Sequence, residues 1–291
     1  MARFRLTLEY AGTRYSGWQR QRNARTVQGE LDRAVAHVTG RRDFELYGSG
    51  RTDAGVHASA QVAHLDVVTS MAAPALMRAL NDELPVDINV LEMQAASRRF
   101  HARHSAVARR YLYQIATRRT AFAKPYVWWV KQSLDLTAMR AAAATFVGMK
   151  DFRSFAAADD DQDEGMERSA QDRSKDRGQS TLVLVSRLDV LEADDLVLVV
   201  IQGSHFLWKM VRRIVGVLVE IGRGGLDPSA AHALLTSTTD VPARLTAPAS
   251  GLFLERVFYE GESTDVAVAA PTPLTSPRSS PKGGAQIGRS S

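Results

Sequence analysis

The stretch Gly48-Ser49-Gly50-Arg51-Thr52-Asp53-Ala54-Gly55-Val56-His57-Ala58 constrains this chain more than any other. Three glycines within eight residues surround one arginine and one aspartate, so the backbone can turn sharply and approach another molecule closely. The strand-like Phe44-Glu45-Leu46-Tyr47 precedes it and the alternating Gln61-Val62-Ala63-His64-Leu65-Asp66-Val67 follows, which predicts a turn between two strands of one sheet. A carboxylate presented on a loop between strands is a common catalytic position, and Asp53 is the candidate. Turn chemistry alone also enriches Asp and Gly, and most such aspartates serve only local hydrogen bonds, so the loop's shape by itself favours that role over chemistry.

With 291 residues and 45% hydrophobic content, the chain can fill a sizeable core as one large or two modest domains. It contains no cysteine, which excludes disulfide frameworks, thiolate nucleophiles and cysteine metal sites. The longest aliphatic run, Leu196 to Ile201, is too short to span a bilayer, and Met1-Ala2-Arg3 leads straight into strand pattern without a signal segment. A cytoplasmic protein without a membrane partner is the expectation. The net charge is +5, yet residues 157–178 hold eight acidic against four basic side chains, leaving +9 on the remainder. That excess suits a polyanion such as RNA, and equally a well-solvated basic surface.

Taken in order, Phe4 to Tyr10 alternates as a strand. Arg14-Tyr15-Ser16-Gly17-Trp18-Gln19-Arg20-Gln21-Arg22 then interleaves guanidinium, amide and aromatic groups, a mixture that suits phosphate contact and base stacking as well as a polar loop with an aromatic anchor. Thr26 as N-cap followed by Val27, Leu31, Val35 and Val38 predicts an amphipathic helix. A second helix is expected from Ala73 to Leu84, with Pro74 in its first turn, and a strand from Ile88 to Ala95. The order strand, helix, strand, strand, helix, strand predicts an antiparallel α+β arrangement.

In Phe100-His101-Ala102-Arg103-His104-Ser105-Ala106, two histidines without a third ligand are weak grounds for a metal. Arg109-Arg110-Tyr111-Leu112-Tyr113-Gln114-Ile115 follows, a strand with Tyr111, Tyr113 and Ile115 on one face, as in an aromatic core. A helix is expected from Leu134 to Val147, then Gly148-Met149-Lys150-Asp151-Phe152-Arg153-Ser154-Phe155, then the charged run 157–178 as a disordered loop. Thr181–Leu191 and Asp195–Gln202 predict a hairpin turning at Glu192-Ala193-Asp194. Phe206 to Glu220 is apolar nearly all round, predicting a buried helix with Lys209, Arg212, Arg213, Gly216 and Glu220 on one stripe. A guanidinium on such a helix either finds an anion or snorkels to water. A short helix from Pro228 to Leu235 and a last strand to Tyr259 close the pattern, and from Gly261 the Ser, Pro, Gly and Thr content predicts a flexible tail.

These strings together resemble the pseudouridine synthases of the tRNA pseudouridine synthase A type. The resemblance covers about residues 4–260 through six motifs in order: the Tyr10 to Gln21 segment, GSGRTDAGVHA, the Phe100 to Tyr113 string, Gly148 to Phe155, Phe206 to Gly216, and Thr246 to Leu254. It departs at Lys150, where the family usually has histidine. It implies the α+β pseudouridine synthase fold, two similar α/β halves sharing a mainly antiparallel sheet with the active-site cleft between them. On this reading residues 1–103 form the half that carries the aspartate loop, 104–260 the second half with the insertion 157–178, and 261–291 the tail. The implied catalytic residues are Asp53, Arg212 paired with it, and Tyr111 against the target uracil. The RNA-contact candidates are Arg51, which would fill the space left by a flipped base, with Tyr111, Arg14, Gln19, Arg103, Arg109 and Lys209. The implied substrate is the anticodon stem-loop of tRNA, at positions 38, 39 and 40, and the implied assembly is a homodimer.

The implied reaction breaks the N1 glycosidic bond of uridine, rotates the base and rejoins it through C5. It involves no redox change, so no cofactor and no metal is expected. One carboxylate can serve as nucleophile or base, and pairing with Arg212 predicts a depressed Asp53 pKa. Two other readings fit the same strings: a catalytically silent RNA-binding protein on this scaffold, and a pseudouridine synthase for a different RNA.

Overall fold

Alternation at Phe4, Leu6 and Leu8 buries one face of β1 (Ala2–Tyr10), which pairs antiparallel with β3 (His57–Val67) on one side and β4 (Ile88–Ala95) on the other. The computed structural model describes residues 1–157 and 180–274. The short β2 (Glu45–Gly48) runs antiparallel to β3, so the candidate loop is the connection between two paired strands, as the sequence predicts. Two helices cover this half, α1 (Val27–Thr39) and α2 (Ala73–Glu83). Thr26 caps α1 by accepting the backbone N–H of Gly29, and Leu31, Val35, Leu76 and Leu80 bury against Leu6, Leu8 and Leu65.

The second half adds β5 (Ala106–Ala116), β6 (Trp128–Trp129), α3 (Leu136–Thr145), β7 (Gly148–Asp151), β8 (Leu182–Ala193) and β9 (Leu196–Gly203). It ends with α4 (Met210–Gly222), α5 (Ala230–Thr236), α6 (Val241–Arg244) and β10 (Leu252–Tyr259). Among the described residues the ten strands form one sheet in the order β4-β1-β3-β10-β5-β9-β8-β7, with β2 on β3 and β6 on β5. Its pairs are antiparallel except β10–β3 and β5–β6, so the architecture is the mainly antiparallel α+β sheet expected. One apolar cluster lies under α1 and α2, and a second, built on Ile115, Val199, Ile201, Ile214, Val217 and Leu218, lies under α3 and α4.

The last strand joins the halves. β10 sits between β3 and β5, and Ala58, Leu254 and Tyr111 are partners in one row across the three strands. Adjacent strands lie about 4.8 Å apart, so Tyr111 is held roughly 10 Å from the first residues after the aspartate loop.

Three local expectations change. The buried helix starts at Met210 rather than Phe206, because Lys209 adopts the left-handed conformation with φ 59. Lys209 therefore precedes the helix, and Arg213 turns away to donate to the carbonyl of Ala156. The β8–β9 hairpin reverses at Asp194, whose φ is 52. The insertion 157–178 lies outside the described residues apart from Ala157, as does the tail from 275 onward. Residues 261–274, placed in a flexible tail by composition, lie across the back of the sheet. There Leu274 buries with Val268 and Ala270 against Leu112, Leu196, Leu198 and Val200, and Arg110 donates to the Val266 carbonyl at 2.9 Å. Apolar side chains spaced along the segment supply the burial that its Ser, Pro and Thr content obscures. No helix among the described residues is long and apolar enough to cross a membrane.

Candidate active site

The aspartate loop is braced by the segment that precedes α1. Trp18 N–H donates to the Thr52 carbonyl at 3.0 Å, Gly55 N–H to the Tyr15 carbonyl at 3.3 Å, and the Thr52 hydroxyl bonds the Tyr10 hydroxyl at 2.8 Å. Gly17 permits this approach, since its φ is +91 and an added Cβ would stand 2.6 Å from the Thr52 oxygen. Inside the loop Ser49 donates to the Gln61 side chain at 2.6 Å and Gln61 to the Gly50 carbonyl at 3.0 Å. Buried Gln61 thus fixes the loop's first residues from below.

So braced, Asp53 faces α4. Its Oδ2 lies 3.6 Å from Nη1 of Arg212, and its Oδ1 accepts the indole N–H of Trp208 at 3.0 Å. Arg212 is aimed by its own bond, Nε donating to the Ala247 carbonyl at 2.7 Å, while Ala247 N–H returns to the Arg212 carbonyl at 3.0 Å. Gly216, one turn on, lets the 245–247 segment lie against the helix, because a Cβ there would stand 1.6 Å from the Leu245 oxygen. The predicted partnership is therefore present, but its electrostatic consequence is reversed. Burial pushes the Asp53 carboxyl above its ordinary range, and Arg212, Trp208 and Lys209 only partly offset it. The reason is distance: at 3.6 Å the ion pair is longer than a hydrogen bond, so it recovers less than desolvation removes.

Tyr111 lies half-buried beside this group. Its ring meets Phe206 edge-on at 5.2 Å, and its hydroxyl is pushed up to about 12 by burial and by the Asp53 charge, which is felt only at short range. The structure thus brings Asp53, Arg212 and Tyr111 together. Arg51 donates to Gln19 at 3.1 Å on the rim, so those two candidates are also adjacent. Arg14 and Arg103 are exposed, and Lys209 Nζ stands 4.4 Å from the Trp208 ring centroid. Arg109 is oriented inward: it donates to the carbonyls of Arg103 (2.7 Å), Ser204 (2.9 Å), Ser49 (3.0 Å) and Ala106 (3.4 Å). It ties the aspartate loop to the approach to α4. Lys150 lies on β7, the last strand in the order and five places from β3. His101 and His104 pack ring to ring at 4.3 Å, and Nδ1 of His101 accepts the backbone N–H of Arg103 at 3.2 Å and of His104 at 3.3 Å. Among the described residues no three His, Asp or Glu side chains are grouped to hold a metal ion.

Sequence reasoning missed Trp208. Its periodicity reads as one more apolar helix residue, and only its position beside Lys209, just ahead of the arginine, hinted that a donor was needed there. It also missed that Arg109 braces rather than projects, since a strand pattern does not say which carbonyls a long side chain reaches.

Comparison with known proteins bears on this arrangement. A family model described as tRNA pseudouridine synthase matches residues 7–105 and 142–260. The chain is 38% identical over 262 residues to tRNA pseudouridine synthase A of Chromobacterium violaceum, covering 89% of this chain and 94% of that one. It is 39% identical over 261 residues to the protein of the same name from Syntrophotalea carbinolica, covering 89% and 97%. With the corresponding Latilactobacillus sakei protein it shares 36% over 260 residues, covering 89% and 99%.

Proposed function

The chain belongs to the tRNA pseudouridine synthase family, and from that premise we propose that it isomerises uridines 38, 39 and 40 in the anticodon stem-loop of tRNA, with Asp53 as the essential group. The observation that carries this reading is the half-buried Asp53 carboxylate, held between the Arg212 guanidinium and the Trp208 N–H beside the Tyr111 ring.

The chemistry follows from what these groups can do. The C1′–N1 bond breaks, uracil turns, a C1′–C5 bond forms, the C5 proton leaves and N1 gains a proton, so atoms and electrons balance without a cofactor. Asp53 supplies the lone pair or takes the proton, as nucleophile or base. Arg212 steadies its negative charge, and Tyr111 offers a flat ring against which the extruded base rests. Extrusion costs a few kcal/mol and least where stem meets loop, which suits the anticodon arm. Arg51, held by Gln19 at the rim, occupies the vacated stack, and Arg14, Arg103 and Lys209 meet phosphates. Arg109 serves the loop instead. If the chain divides into halves 1–103 and 104–260, the proposed reacting carboxylate belongs to one and its arginine to the other, and the substrate would enter between them. We further propose a homodimer acting in the cytoplasm. Sedimentation as a monomer at micromolar concentration refutes the dimer.

The test is incubation with an unmodified tRNA transcript followed by pseudouridine mapping. Signal at positions 38–40 that vanishes in Asp53→Ala supports the proposal. Retained activity in Asp53→Ala refutes the assignment, binding without any modification points to the silent RNA-binding alternative, and modification elsewhere points to a different RNA target.

A further inference from the structure

Lys209 and Asp194 are the two non-glycine residues with positive φ among the described residues. Asp194 sits in a hairpin turn, where a short polar side chain tolerates that conformation. Lys209 has no such excuse, and a long side chain held there marks a backbone forced by its surroundings. The surroundings are identifiable. The Trp208 carbonyl accepts the Ala157 N–H at 3.0 Å, Met210 N–H returns to the Leu207 carbonyl at 3.1 Å, and Arg213 N–H takes the Lys209 carbonyl at 3.0 Å. The reversal at Lys209 turns the Trp208 indole edge toward the aspartate loop and lays the Lys209 ammonium over the indole ring.

The consequence lies in the carboxylate's two oxygens. An indole N–H donates only and carries no charge at any pH, so it is a fixed donor that neither titrates nor competes as an acceptor. It takes Oδ1 at 3.0 Å, whereas Oδ2 stands 3.6 Å from Arg212, outside hydrogen-bond range. Without the indole, the carboxylate could rotate about its Cβ–Cγ bond and give either oxygen to the guanidinium.

We infer that Trp208 is a positioning residue for the reaction: by occupying Oδ1 it fixes the plane of the Asp53 carboxylate and leaves Oδ2 as the oxygen that reacts. This rests on Asp53 being the reacting group. The titratable or charged groups facing that carboxylate are Lys209 just ahead of α4, Arg212 in its first turn and Tyr111 from β5. Trp208 therefore supplies the neutral part of a site whose remaining electrostatics come from those three.

Trp208→Phe tests this, because it keeps an aromatic ring beneath Lys209 while removing the N–H, at the cost of a smaller ring. Single-turnover assays on unmodified tRNA should show the rate constant at saturating tRNA falling by about 10- to 100-fold, the range for a hydrogen bond to a charged group. The tRNA concentration at half-maximal rate should move less than about twofold, since an interaction made through Asp53 acts on the chemical step. The acid limb of the profile should shift upward, by up to about one pH unit. Trp208→His at pH 8, where a neutral imidazole still carries an N–H, should recover part of the loss, and it also guards against a misfolded phenylalanine variant. A Trp208→Phe rate within twofold of wild type with an unmoved acid limb, while Asp53→Asn is inactive, overturns this inference alone. So does a weaker tRNA dependence at unchanged maximal rate, which marks Trp208 as an RNA contact. Full activity in Asp53→Asn overturns the inference together with the reading of Asp53.

Discussion

Replacing Arg109 by methionine separates two roles that an arginine beside an RNA cleft can play. Its guanidinium donates to three carbonyls at 3.0 Å or less, those of Arg103, Ser204 and Ser49, and more weakly to Ala106 at 3.4 Å. A hydrogen bond from a charged donor contributes about 1.5–3 kcal/mol, but three that share one guanidinium add to less than their sum, and water can reach partly exposed carbonyls. The loss in Arg109→Met is therefore about 3–5 kcal/mol of folding stability. At about 2–4 °C per kcal/mol for a protein of this size, the melting temperature falls by roughly 6–20 °C. Ser49 begins the aspartate loop and Ser204 begins the approach to Trp208 and Arg212, so the same substitution frees Asp53 relative to its partners. A misplacement of about 1 Å is worth on the order of 100-fold in rate. Calorimetry should thus report a large destabilisation, and single-turnover kinetics below the lowered melting temperature a reduced maximal rate with little change in tRNA affinity. An arginine that met phosphate would behave oppositely, leaving the melting temperature alone, weakening tRNA binding and lowering the salt slope by about one. A melting temperature within 2 °C of wild type, a threshold well below the range above, refutes the bracing argument.

Other residues give equally direct tests. Burial holds the Asp53 carboxyl above its ordinary value of 3.8, so the folded state binds more protons than the unfolded one just above that pH, and wild-type stability falls as pH rises through the window. Asp53→Asn should then be inactive yet melt higher than wild type at pH 7, with the advantage narrowing toward pH 3.8; equal melting at both pH values contradicts the sign. Arg110 has a fully buried side chain that donates to both Glu255 oxygens, at 2.5 and 2.9 Å, so Glu255→Ala should cost about 3–5 kcal/mol in chemical denaturation. Most of that loss should return in an Arg110→Met, Glu255→Leu double variant, and a double variant no better than the single one contradicts it. Leu274→Ala should cost about 2 kcal/mol, the low end for a buried leucine, as residues 261–274 loosen from the sheet, and an unchanged denaturation midpoint shows that the segment contributes nothing.

How far the sequence could carry these arguments depended on the range over which each signal acts. Period-two alternation from Phe4 to Tyr10 and the Thr26 cap are local, so β1 and α1 follow from the residues that form them. The glycine pattern of the aspartate loop is local too, and its meaning becomes visible once Gly17 is seen pressed against the Thr52 carbonyl. The seam between the halves has no such signal. Nothing in Leu252 to Tyr259 says that this strand inserts between β3 and β5, yet that insertion sets the spacing between Tyr111 and the strand leaving the loop. The start of α4 failed for a related reason. Phe206 and Leu207 continue the apolar pattern, and only contacts with residues far away in the chain hold Lys209 in the conformation that ends it.

The same distinction explains why the Asp53 ionisation was misjudged. Pairing an arginine with an aspartate is a statement about two residue types, and on types alone the carboxyl should be easier to ionise. Whether it is depends on depth and separation, which no spacing records. With the carboxylate half-buried and the guanidinium 3.6 Å away, the cost of burial is larger than the attraction, and the group is left poised rather than locked in its charged form. A carboxylate held tightly by arginine would be a poor base and a weak nucleophile. The loose pair, with a neutral indole N–H on the other oxygen and Lys209 acting only through space, leaves Asp53 the basicity that its proposed role as nucleophile or base calls for.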